Sequence, residues 1–146
     1  MTQSTADDYS TERTIYIPEG RFVPWMTDGE AVTGPAEITV NVPIDEIPVY
    51  LAAGGLVPMT SEPALTLREA EGMRDLSSTE GNRILYVGLG ADGAFEEASG
   101  AAYSLEGSGT TALSTDITGN GTITGEGWEL TLSGHPEDRV TTVIAK

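Results

Sequence analysis

Apolar and polar residues alternate most cleanly at two places in this chain. From Glu37 to Val42, Ile38, Val40 and Val42 fall on one side, with Glu37, Thr39 and Asn41 on the other. From Trp128 to Leu132, Trp128, Leu130 and Leu132 alternate with Glu129 and Thr131. A two-residue period of this kind predicts half-buried β-strands. Arg13 to Pro18 is a first strand of the same type, with Ile15 and Ile17 together and Tyr16 opposite. Glu19-Gly20 then reads as a turn, and Arg21 to Met26 as a second strand broken by Pro24. Thr27 to Pro35 is a loop.

The next stretch carries the densest local signals. Pro43 closes the preceding strand, because proline has no N–H to give to a ladder. Asp45-Glu46 forms a polar corner, and Ile47, Val49 and Leu51 are expected on the buried face of a strand. Gly54-Gly55 turns the chain, and Leu56-Val57 leads off before Pro58 stops it. Leu65 to Leu67 reads as a strand and Arg68 to Leu76 as a helical turn or two. Further strands follow at Ile84–Gly88, Ala101–Leu105, Ala112–Ile117, Thr122–Thr124 and Val140–Ala145. Asp92-Gly93 and Gly119-Asn120-Gly121 read as hairpin turns, the second as type I′, where Asn-Gly is favoured. Gly125-Glu126-Gly127 is another turn. The fold class expected is all-β: an antiparallel β-sandwich, with room for two small β subdomains packed together. The expected division is a flexible arm at 1–12, a proximal half at 13–60 and a distal half at 61–146.

Composition agrees with that class and narrows the function. Eighteen glycines and eight prolines suit short strands joined by turns, and 146 residues suffice for one domain or two very small ones. The 23 acids outnumber the seven bases, for a formal charge of −16, and Lys146 is the only lysine. Phosphate binding needs clustered cations, so a nucleic-acid partner is not expected. The acidity reads as a solvated surface, or as adaptation to a saline setting where salt screens self-repulsion. The absence of cysteine excludes disulfides and thiolate chemistry. No apolar run is long enough for a membrane span, and Met1 to Glu12 lacks the apolar centre of a signal peptide. With Met1 as its true start, the chain is expected to be cytoplasmic.

Four pieces in one order and spacing carry a resemblance. They are Arg13-Thr14-Ile15-Tyr16-Ile17-Pro18-Glu19-Gly20, Trp25-Met26-Thr27-Asp28-Gly29-Glu30, Ile38-Thr39-Val40 and Ile47-Pro48-Val49-Tyr50-Leu51-Ala52-Ala53-Gly54. The stretch resembles the β-sandwich that follows the catalytic barrel in family 31 glycoside hydrolases, the α-glucosidase and α-xylosidase group. More faintly, Tyr86 to Phe95 is similar to that family's distal domain, with Glu96-Glu97-Ala98-Ser99-Gly100 standing where its acidic turn would be. The resemblance implies a non-catalytic accessory domain that supports a catalytic barrel or mediates assembly, with the barrel or a second copy as partner. A self-standing carbohydrate-binding module is the alternative, which would make carbohydrate a partner, and a small enzyme of another type is a third.

Retaining glycosidases need two carboxylates about 5–5.5 Å apart. Asp45-Glu46 and Glu96-Glu97 are adjacent in sequence, and strand neighbours point to opposite faces, so neither pair is expected to converge. His135 is the only histidine, and a relay with Ser133 and Asp138 lacks the G-x-S-x-G setting of a nucleophile elbow. It reads instead as a turn histidine before Pro136. Asp116 to Gly121 resembles the start of a calcium loop, but its twelfth position is Gly127 where glutamate is required. Trp25, Trp128 and the five tyrosines could offer sugar-stacking faces, against which Trp128 keeps register with Leu130 and Leu132 as a core residue would. No catalytic residue, metal ligand or cofactor is assigned.

Overall fold

A computed structural model describes residues 11–25, 27–61 and 81–146. The expected strand at 65–67, the helical turns at 68–76, Met26 and most of the N-terminal arm lie outside the described residues. The chain divides into two compact units, Met1–Ala52 and Ala53–Lys146. Every described element is a strand.

The first unit is a three-stranded antiparallel sheet of order β2-β1-β3, built from β1 (Glu12–Pro24), β2 (Val32–Asn41) and β3 (Tyr50–Ala52). Ile15 faces Ile38 and Ile17 faces Ala36 across the β1–β2 ladder, so the apolar sets of both strands share a face. Thr14 and Thr39 share the other, where Tyr16 is 66% exposed. Glu19-Gly20 is not the turn read from the sequence. β1 runs straight through it, and the register slips there by one residue, from Ile17↔Ala36 to Gly20↔Gly34. A bulge absorbs the extra residue and bends the strand without ending it. β2 correspondingly starts at Val32, inside the expected loop.

After β2, Glu46 N–H donates to Pro43 O at 3.0 Å, which closes the expected polar corner as a β-turn. The strand beyond it is much shorter than its pattern implied. Only Tyr50–Ala52 pairs with β1, through Val23↔Leu51 and its neighbours. Leu51 is 6% exposed, whereas Val49 is 44% and Ile47 83% exposed. Pro48 contributes to this, having no N–H to extend a ladder toward Ile47.

The second unit is a two-sheet sandwich. One sheet has the order β4-β5-β11-β8, from β4 (Leu56–Thr60), β5 (Arg83–Val87), β8 (Leu113–Thr118) and β11 (Val140–Ala145). The other has the order β6-β7-β10-β9, from β6 (Gly93–Glu96), β7 (Ala102–Glu106), β9 (Gly121–Gly125) and β10 (Trp128–Ser133). Leu85, Val87 and Val143 of the first sheet meet Tyr103, Leu105, Trp128, Leu130 and Leu132 of the second in one apolar core. The all-β sandwich expected from the sequence is therefore present. One pairing departs from antiparallel: β11 runs parallel to β5, Val143 opposite Leu85. Pro58 does not stop β4 but lies within it, which an edge strand allows because its outer N–H groups need no ladder partner.

Both turns read as hairpins are instead crossings between the sheets. Asp92-Gly93 carries the chain from β5 to β6, and Asp92 Oδ1 accepts the Gly107 N–H at 2.7 Å. Gly119-Asn120-Gly121 carries it from β8 to β9, which lie in opposite sheets. Type I′ needs positive φ at both central residues, and Asn120, like every described non-glycine residue, lacks one. Asn120 works through its side chain: Oδ1 accepts His135 N–H at 2.8 Å and Nδ2 donates to His135 O at 3.3 Å. The Glu126-Gly127 reversal is a true hairpin, pairing Gly125 with Trp128.

Candidate functional site

The most concentrated polar chemistry lies inside the second unit, at one end of the sandwich. Arg83 opens β5 in phase with Leu85 and Val87, so the alternation that buries those residues also turns its guanidinium inward. Glu97 follows β6, in the turn closed by Glu97 N–H donating to Ala101 O at 2.8 Å. Tyr103 is the second residue of β7, and Arg139 precedes β11. These four side chains converge. Arg83 Nε donates to Glu97 Oε1 at 3.2 Å, and Tyr103 Oη donates to Glu97 Oε2 at 2.7 Å. Arg139 Nη1 lies 3.8 Å from Oε2, while its Nε donates to Gly81 O at 2.9 Å. His135 completes the group, its ring meeting Tyr103 edge-on with centroids 4.9 Å apart.

The electrostatics follow from this packing. Burial pulls the Glu97 carboxyl upward, but the Tyr103 hydrogen bond and the two guanidinium groups outweigh it and hold it below its ordinary value. Tyr103 is pushed far up, first by burial and then by its bond to the Glu97 carboxylate. Burial lowers His135, the Ala102 backbone opposes that, and Arg139 adds to it. At neutral pH the cluster therefore holds a carboxylate, two guanidinium ions, a neutral phenol and a neutral imidazole. A phenol locked in its protonated form and a carboxylate locked in its charged form are poor proton-transfer partners, so the arrangement braces the fold.

The residues singled out in the sequence are scattered. Asp45 and Glu46 are exposed on the first unit's turn. Glu96 is exposed at the end of β6, while Glu97, in the turn that follows, points inward. Ser133 and Asp138 are exposed, His135 is 5% exposed, and the imidazole makes no hydrogen bond to either. Trp128 is 3% exposed and donates its indole N–H to Thr111 O at 3.0 Å, which withdraws it from any sugar-stacking role. Trp25 is half-buried. Asp116 lies within β8, and among the described residues no group of three or more metal-ligating side chains is placed to hold an ion.

The first unit offers a different feature, an open cleft of about 550 Å³. Its lining includes Pro24, Asp28, Val42, Ile47, Val49 and Tyr50. Beside it, Ile44 is 56% exposed on the Pro43–Glu46 turn. Three large aliphatic side chains thus stand in solvent within one short loop.

Comparison with known proteins bears on this first unit. Residues 1–57 match the Glycosyl hydrolase family 31 C-terminal domain. The probable alpha/beta-glucosidase agdC of Neosartorya fischeri is 32% identical over 71 residues, 47% of this chain and 8% of the relative. The agdC proteins of two Aspergillus fumigatus strains match at the same 32% over the same share. The matched stretch thus spans only 8% of the length of these relatives. The match to the family model covers 57 of the chain's 146 residues.

Proposed function

We propose that this chain is a non-catalytic accessory region of a family 31 glycosidase, which buttresses the catalytic domain or holds copies together. The observation that carries this reading is the match of residues 1–57 to the family's C-terminal domain. In the glucosidase relatives the matched stretch is 8% of a far longer chain, so their chemistry has ample room elsewhere. The exposed loop supports the same reading. Burying an Ile or Val side chain fully contributes about 1.5–3 kcal/mol, and Ile44, Ile47 and Val49 leave much of that unrealised. A loop of that kind is suited to being covered by another protein surface.

Two measurements test the proposal. The purified chain is expected to turn over no aryl α- or β-glucoside. A rate that survives repurification and falls on replacing Asp28 or Glu46, the acids lining the cleft, would overturn the non-catalytic reading. Sedimentation across a salt series addresses the covered surface. At low salt the charge of −16 holds copies apart, while at about 1 M salt the screening length falls to roughly 3 Å. Self-association is then expected to appear and to be lost in Ile47→Asp. A strict monomer at high protein and high salt would instead favour the self-standing carbohydrate-binding module.

A further inference from the structure

The loop between β10 and β11 is held down from four directions. Asn120, at the β8–β9 crossing, takes both backbone groups of His135. Tyr103 of β7 packs on the imidazole. Arg139 reaches Gly81 O, and Val140 N–H donates to Asn82 Oδ1 at 3.0 Å. The titratable and charged groups facing His135 are Tyr103 and Glu97 from the β6–β7 hairpin, Arg83 from β5, and Arg139 from its own loop. His135 is 5% exposed, Arg139 8% and Arg83 9%. A proton on His135 would place a third buried cation in this group, on a ring whose two N–H groups would find no hydrogen-bond partner beyond the Ala102 backbone. Charge buried without a compensating bond is strongly unfavourable.

We propose that this cluster is an acid-released clasp, in which a proton taken up by His135 opens the Ser133–Val140 loop that the neutral imidazole holds closed. The sign follows from linkage. His135 is lowered from 6.5 in the folded chain, so the stability it contributes is fully present above about 6.5 and is lost as pH falls through the folded value. Glu97, held below 4.5, keeps its charge through the upper part of that range. Its own contribution is lost only at lower pH, so release by His135 comes first. Tyr103 lies above 10 and stays protonated throughout.

Hydrogen exchange of the full chain, read by mass spectrometry at pH 7.5, 6.5, 5.5 and 5 and corrected for intrinsic rate, tests this. Amides of the loop and of the start of β11 are expected to lose protection below about pH 6.5, by on the order of tenfold for each pH unit of lowering of the histidine. The β1–β2 amides should keep theirs. His135→Leu, which keeps the burial and removes the proton site, should abolish the step, and His135→Gln serves the same comparison if leucine disturbs folding. The proposal is overturned by a wild-type chain with no step down to pH 5. An equal step in the variants, or simultaneous loss across β1–β2, would overturn it as well.

Discussion

Trp128→Ala is expected to destabilise the second unit by about 3–5 kcal/mol, the usual range for removing a buried tryptophan. Several effects reinforce one another at this position. The indole is 3% exposed and packs within the core beside Leu105 and Leu130. Its N–H is bonded to Thr111 O, so truncation also leaves a carbonyl without its donor. Across the β9–β10 ladder Trp128 pairs with Gly125, where a Cβ would collide with the indole ring. Glycine there makes room for the tryptophan, and the alanine variant would leave both spaces empty. In a unit of this size each kcal/mol moves the melting temperature by about 4–8 °C, so the transition should fall by well over ten degrees. Calorimetry reads this directly. A change below about 1 kcal/mol would mean that Trp128 packs loosely, and would reopen its role as a ligand face. Gly125→Ala is the companion test, because it should displace the same ring from the opposite side.

The placing of Trp128 was legible in the sequence because the information is local. Period-two alternation fixes which residues of a strand share a face, and in β2 and β10 the pattern and the burial coincide. Partner choice is not local. Gly119-Asn120-Gly121 has the composition of a hairpin, and turn chemistry does report that the chain reverses there. Whether it returns in the same sheet or the opposite one depends on His135, fifteen residues further on, whose backbone binds the Asn120 side chain. The Ile47, Val49 and Leu51 series has the same shortcoming. Its alternation is real, yet only Leu51 finds a strand to lie beside. The polar cluster was the least visible feature, since Arg83, Glu97, Tyr103, His135 and Arg139 come from three separate stretches: β5, the β6–β7 hairpin and the β10–β11 loop. One signal was nonetheless present: Arg83 sits in phase with Leu85 and Val87, so an inward-facing arginine needed an inward-facing acid.

That acid is Glu97, and Glu97→Ala is expected to cost about 3 kcal/mol, at the lower end for breaking a buried ion pair by removing one partner. The lower end is chosen because the Glu97 side chain retains 17% exposure, against 10% for Arg83, so water offsets part of the loss. The substitution removes the acceptor of both the Arg83 and the Tyr103 hydrogen bonds, and leaves the 9%-exposed Arg139 side chain without that counterion. Glu97→Gln keeps the shape and one carbonyl oxygen. It should therefore retain the Tyr103 bond and lose only the charge, falling between alanine and wild type. Tyr103→Phe removes the phenol from the same bond, and the double variant should be less destabilised than the two single effects added together. Coupling of about 0.5–3 kcal/mol is usual for side chains sharing one network. Denaturant titrations of the four chains give the cycle. If Glu97→Ala matches wild type within about 0.5 kcal/mol, or the cycle is additive, the carboxylate is a solvated surface group and the brace does not exist.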